Sequence, residues 1–470
     1  MGISKSVATA ILGAGLLAGG ALFATTQTTA QQESTAQPVV PSPSLSEAFE
    51  TLLITSDRDR IDQAIAAIDA EWHPSLMPKL LETTAYAASR YSAALIYAML
   101  AEKTGENFAG DLHGWYEWLW NQPEMIEPDY ADYKADLYRQ IDPVFEGYFK
   151  GRQASARIRL DEIRWGGVVQ DGIPPLRGPE MISAKKARYL DDDNIVFGIE
   201  INGDARAYPK RILAWHEMFV DTVGGVDIAG VYCTLCGTVI PYKTTFQGKK
   251  HELGTSGFLY RSNKLMYDRE TQSLWNTITG EPVVGPLVDQ GIALEHLSVV
   301  TTTWGEWKRR HPKTSVLSLK TGHRRDYGEG VAYQEYFATD RLMFNTPFND
   351  ERLKNKQEVL ALRFAAAPGE QLAIDTDFLN ENTVYAGNIG LQKFVVLTDK
   401  TGANRVFDPE NVNFVSYDGD AKVTDETGVI WELTEQSLTA PDGRRLERLP
   451  YHRAFWFGWR AAYPETKLIK

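Results

Sequence analysis

Apolar residues recur every three to four positions through the first third of the chain and every second position after it. Between Leu45 and about Lys150, Ile61, Ala64, Ile65 and Ile68 fall on one helical face, as do Leu95, Met99 and Leu100 in the next run. Asp57 and Asp59 supply capping chemistry ahead of the first run, while Pro74, Gly105 and Pro123 interrupt it, so four to six short helices are predicted. After Arg157 the period becomes two. Ile195, Phe197, Ile199 and Ile201 alternate up to the turn Asn202-Gly203-Asp204, and Val223-Gly224-Gly225-Val226 turns into a second strand ending at Cys233. Helical spacing returns only around Arg211 to Phe219 and Thr303 to Arg310. The predicted class is α+β: a helical N-terminal domain followed by a mainly antiparallel, β-rich part.

The β-rich part repeats itself. Val226 to Tyr242 aligns with Leu391 to Phe407 without gaps, placing Gly237 on Gly402 and Tyr242 on Phe407. Further along, Glu270, Thr271 and Trp275 match Glu426, Thr427 and Trp431. Trp304, Trp307, Pro312 and Thr314 match Trp456, Trp459, Pro464 and Thr466. Four ordered landmarks predict an internal duplication, with a first copy over residues 157–322 and a second over 340–470 packed as one pseudo-twofold body. The helical domain is assigned to residues 45–150. Its pattern is HEAT-like, and its Trp115, Tyr116, Trp118 and Trp120 read as a core or inter-domain packing surface.

Composition narrows the function classes. The 470-residue chain has a net charge of −13 with 43% hydrophobic and 24% charged residues, which fits a globular protein and argues against a nucleic-acid binder. Lys5, the apolar run Val7 to Phe23 and the small residues Thr28, Thr29 and Ala30 read as a cleaved export signal over residues 1–30, followed by a Pro/Ser-rich linker over 31–44. The expected location is periplasmic or extracellular, with no membrane span apart from that signal. Two cysteines in so long an exported chain exclude a disulfide-stapled scaffold, and both lie in one C-x-x-C, Cys233 to Cys236.

Duplication offers an internal comparison, because scaffold residues should recur while site residues need appear once. In the gapless alignment Cys233 meets Thr398 and Cys236 meets Thr401, and, judged from Ile199 against Leu362, Trp215-His216-Glu217 lies roughly opposite Asp377, Phe378 and Leu379. Candidate chemistry is therefore expected in the first copy, in a pocket formed by the end of the Val226 to Cys233 strand, the His216 segment and the Ser256 to Asp268 stretch.

Four readings of those residues stand side by side. Cys233 and Cys236 with His216 and His251 could hold zinc or copper. The two thiols could form a redox pair. Cys233 or Ser256 could act as a nucleophile with His216 as base, oriented by Glu217 or Asp268, with Arg269 beside them. Finally, the first copy could be a non-enzymatic binding scaffold holding a small ligand through Tyr260 and Asn263, with the helical domain docking a protein partner. His311 and His452 read as satisfied surface or core residues.

The ordered motifs Asn202-Gly203-Asp204-Ala205-Arg206-Ala207-Tyr208-Pro209, Trp215-His216-Glu217, Tyr232-Cys233-Thr234-Leu235-Cys236-Gly237, Gly254-Thr255-Ser256-Gly257 and Met266-Tyr267-Asp268-Arg269 resemble the domain-of-unknown-function 3179 family. The resemblance continues to Phe455-Trp456-Phe457-Gly458-Trp459 and leaves only residues 1 to about 150 outside it. It implies no particular activity. Relatives often carry Thr in place of Cys236, so it implies less about the second thiol than about the first.

Overall fold

The computed structural model describes residues 42–470. The expected signal and most of the linker lie outside the described residues. No helix among those described is long and apolar enough to cross a membrane.

Of the two capping residues predicted from sequence, Asp57 caps its helix and Asp59 lies in its first turn, while the preceding helix is capped by residues the pattern did not single out. Ser44 and Glu47 form a reciprocal capping box at Leu45–Ile54, and the Asp57 side chain accepts the Arg60 N–H at Arg58–Ala70. Two helical hairpins, Leu45–Ile54 with Arg58–Ala70 and Met77–Tyr86 with Arg90–Thr104, stack on one another. The helices Leu112–Trp120 and Tyr130–Tyr138 carry this region onto the first copy. Trp115, Tyr116 and Trp120 are buried, and the Arg164 guanidinium lies 3.6 Å from the centre of the Tyr116 ring. The aromatic cluster is thus a core and a domain seam.

Each copy contains the same three sheets. In the first, Val300–Thr303, Ile195–Ile201, Asp204–Pro209 and Ser315–Leu317 lie in that order. In the second, His452–Phe455, Glu358–Arg363, Gln371–Asp375 and Lys467–Ile469 repeat it, including the parallel pairing of the last two strands. The hairpin Met218–Val223/Val226–Cys233 with its third strand Thr238–Lys243 repeats as Val384–Ile389, Gln392–Thr398 and Asn404–Phe407. The meander around Leu274–Asn276 repeats around Ile430–Leu433. The internal duplication is therefore that read from the recurring landmarks, and the mainly antiparallel character that read from the period-two pattern and hairpin turns.

The shared landmarks serve the scaffold. Trp307 and Trp459 are fully buried, and their indole N–H groups donate at 2.9 Å to Thr314 and Thr466 respectively. Gly198 is required beside Trp307, because a Cβ there would come within 2.3 Å of the ring. The copies share one core: Met218, Val231, Ile240 and Trp275 of the first pack with Val359, Ala361, Ala454, Trp456 and Trp459 of the second.

Hydrogen-bond register corrects the residue matching in one place. The Tyr232 N–H donates to the Glu217 carbonyl, and the Thr398 N–H donates to the Thr383 carbonyl in the same way. Cys233 therefore corresponds to Asp399, not Thr398, and His216 and Glu217 correspond to Asn382 and Thr383. The cause is a longer hairpin connection in the second copy, between Arg363 and Gln371, followed by a shorter turn after Thr398. The hairpin connection is three residues longer and the turn one residue shorter, so Gly237 falls on Gly402, both with positive φ, while residues on the strand before the turn match one position later.

Candidate functional site

Cys233 ends the strand Val226–Cys233, and Cys236 lies in the turn that leads to Thr238–Lys243. No helix follows the motif; a strand does. Gly237 at φ 60° completes the turn and packs against the Phe455 ring. The Phe455 N–H donates to the Cys236 carbonyl at 2.7 Å, so the second copy holds the turn in place. The two sulfurs are 2.7 Å apart; Cys236 is fully buried and Cys233 is 2% exposed.

The thiols differ in acidity. Burial works to raise the Cys233 thiol, but the Cys236 S–H and the backbone N–H groups of Lys264 and Cys236 outweigh burial and the Glu217 charge, so its pKa is lowered. Burial pushes the Cys236 thiol up, and its neighbour Cys233 pushes it further. The second copy explains this arrangement. There the Asp399 carboxylate accepts from the Thr401 N–H at 2.9 Å, from the Thr401 hydroxyl at 2.7 Å and from the Ala403 N–H at 3.0 Å. Positions 233/399 and 236/401 face each other in both copies: as two thiols in the first, where Cys236 Sγ also lies 3.3 Å from the Ser262 carbonyl, and as a carboxylate with its hydroxyl donor in the second.

Beside the thiols lies a buried ion pair. Lys264 Nζ donates to Glu217 Oε2 at 3.0 Å, and the Tyr333 hydroxyl donates to Glu217 Oε1 at 3.2 Å. Glu217 ends its helix in the left-handed region at φ 53°, which turns its side chain toward Lys264. Glu217, Leu235, Thr255, Lys264, Tyr333 and Phe344 line a cavity of about 60 Å³. The Ser256 to Asp268 stretch and Glu217, next to His216, meet at this cavity with Leu235 of the C-x-x-C turn, whereas the strand Val226–Cys233 does not line it. Three buried polar atoms beside the dithiol have no partner: Tyr232 Oη, Thr234 Oγ1 and Asn263 Oδ1.

Other candidates are engaged elsewhere. His216 Nδ1 donates to the Pro174 carbonyl at 2.9 Å, leaving Nε2 to accept from Tyr327 at 2.6 Å, and burial lowers its pKa to about 4. His251 lies 3.4 Å from Asp268 and packs on Trp275. Among the described residues no three His, Cys, Asp or Glu side chains converge as a metal-holding group, so the four-ligand set Cys233, Cys236, His216 and His251 is not assembled. Ser256 donates to the Leu265 carbonyl at 2.6 Å and accepts the Phe258 N–H at 3.0 Å, which fixes a strand irregularity instead of presenting a nucleophile. Asp268 Oδ1 accepts from the Glu270 and Thr271 N–H groups, as Asp425 does from Thr427 and Val429 in the second copy, so it belongs to the scaffold. Arg269 is a surface partner of Glu252 at 3.3 Å. Tyr260 lines an open cleft between the helical region and the first copy, away from the thiols, and Asn263 donates to the Gly458 carbonyl at 3.1 Å.

Lys264, Tyr333 and Tyr336 were not singled out by the sequence reading. Lys264 is legible once register is known, since the second copy has Ala421 at its place. The tyrosines come from the connection between copies, which has no counterpart to compare.

No curated protein and no solved structure matches the chain. A family model described as "Protein of unknown function (DUF3179)" matches residues 170–466, which takes in the C-x-x-C turn, the ion pair and most of both copies. The chain belongs to the DUF3179 family.

Proposed function

We propose that the protein is a thiol redox protein whose working group is the Cys233–Cys236 dithiol of the first copy. The observation that carries this reading is the 2.7 Å separation of two buried sulfurs, at a position where the second copy holds a carboxylate and its hydroxyl donor. Cys233 is the attacking thiolate. It displaces one sulfur of a partner disulfide, forming a mixed disulfide, and the released sulfur leaves as a thiol after taking a proton. Cys236, deprotonated in turn, attacks Cys233, closing the intramolecular disulfide and freeing the second partner thiol. The protein loses two electrons and two protons; the partner disulfide gains both. Export, as the N-terminal pattern leads us to expect, would place this exchange in an oxidising compartment.

The test is equilibration of purified full chain with glutathione and its disulfide, read by thiol titration and intact mass. The expected result is a single two-electron transition, loss of that transition in Cys233→Ser, and a glutathione adduct on Cys233 in Cys236→Ser. A chain whose thiols never exchange, and whose Cys236→Ser variant forms no adduct even when Tyr336→Ala removes the buried ring that packs beside both thiols and donates to the Leu235 carbonyl, would show the pair to be structural.

A further inference from the structure

At the seam between the copies, His296 and His452 face each other with ring centres 5.2 Å apart. All four ring nitrogens are buried and none has a hydrogen-bond partner; the Tyr451 backbone approaches His296 without adequate geometry. The Arg363 guanidinium acts on both rings. Its Nε has no partner, its only hydrogen bonds among the described residues are 3.4 Å contacts from Nη2 to the Tyr242 hydroxyl and the Thr279 carbonyl, and Glu281 influences it only from a distance. Thr279 Oγ1, in the same place, is buried and unpartnered too. Buried polar groups left unpaired so close together are costly, and a bound acceptor would satisfy the donors among them.

The matching place in the other half of the molecule shows what is missing. The bridge Tyr242 to His296 recurs as Phe407 to Arg448, so Arg448 stands where His296 stands. His311, after the helix Trp304–Arg310, stands where Tyr463 follows Trp456–Ala462. Between Arg448 and His311 lies the Glu435 carboxylate, four residues past Trp431 and bound by Arg405 and Arg448. Four residues past Trp275 the first copy has Thr279, too short to supply a carboxylate.

We propose that Arg363, His296, His452 and Thr279 form a binding site for a small carboxylate anion, which takes the place that Glu435 fills in the second copy. Arg363 supplies the positive charge and the imidazoles supply N–H donors. Arg363, His296 and Tyr463 are only partly covered, which sets the site just beneath the surface. A cation does not suit it, because Arg363 opposes one and no third ligating side chain joins the histidines among the described residues.

The test uses the full chain with acetate as probe, titrated against chloride at constant ionic strength and neutral pH. Acetate should shift the imidazole nitrogen resonances of His296 and His452 saturably and raise the melting temperature. Arg363→Leu and His452→Val, the latter introducing the residue found at the matching position Val300, should each weaken binding by at least about tenfold. Thr279→Glu supplies the carboxylate within the chain; it should raise stability and abolish the acetate response. A response no greater than that to chloride, or one that persists unchanged in Thr279→Glu or in a folded Arg363→Leu, overturns the proposal.

Discussion

At the scale of single residues, the site depends on charges held out of water. Cys233 accepts from several donors while Cys236 is surrounded by burial and a neighbouring sulfur, so the two thiols should titrate apart. In Cys236→Ser the remaining thiol keeps a hydroxyl donor, and its alkylation rate should rise with an inflection below the ordinary thiol value of about 8.5. In Cys233→Ser the inflection should lie above that value. Equal profiles would remove the acidity difference on which the proposed roles rest. The Glu217–Lys264 pair gives a second expectation, since both side chains are less than a tenth exposed. Lys264→Met strands a buried carboxylate and should cost about 3–5 kcal/mol in denaturant unfolding. Glu217→Gln with Lys264→Met removes both charges at similar side-chain length and should recover most of that loss.

Among the elements, the connection between copies decides access. Residues 323–348 lie across the first copy: Tyr327 bonds His216, Tyr333 bonds Glu217, and Tyr336 donates to the Leu235 carbonyl at 2.8 Å between the two cysteines. Phe337, Leu342 and Phe344 pack on the same cluster as the thiols. Tyr336→Ala removes one hydrogen bond and a buried ring from this cover. It should speed alkylation of Cys233 by about tenfold or more, because local opening becomes less costly, while global unfolding changes little. A large fall in global stability with unchanged alkylation would mean that the connection is part of the core and not a cover.

For the molecule as a whole, the copies are not separable bodies. Their common core draws Trp275 from one and Trp456 and Trp459 from the other, and the C-x-x-C turn is tied to Phe455 of the second copy. A chain ending at residue 322 should therefore lack a cooperative unfolding transition and bind hydrophobic dyes, as measured by circular dichroism and fluorescence. Cooperative unfolding of that fragment with native-like thiol reactivity would show that the first copy stands alone.

The sequence by itself determined the class of each region, because hydrophobic period depends on local geometry: 3.6 residues for the helices from Leu45 and two for strands such as Ile195–Ile201. It also determined the duplication, since Gly237, Trp275, Trp304 and Trp307 do scaffold work that recurs wherever the fold recurs. The first copy was legible as the unusual half for the same reason. Tertiary structure decided which unusual residues meet. A turn one residue shorter in the second copy hid the match of Cys233 with Asp399, and only strand register exposed it. His216, Ser256 and Asp268 look reactive in sequence, yet their hydrogen bonds are spent on Pro174, Leu265 and the turn before Trp275. His452, read as a satisfied residue, is buried with both nitrogens unpartnered, and its meeting with His296 and Arg363 depends on how the two copies pack. Proximity between distant segments is a property of that packing, and no local pattern of residues encodes it.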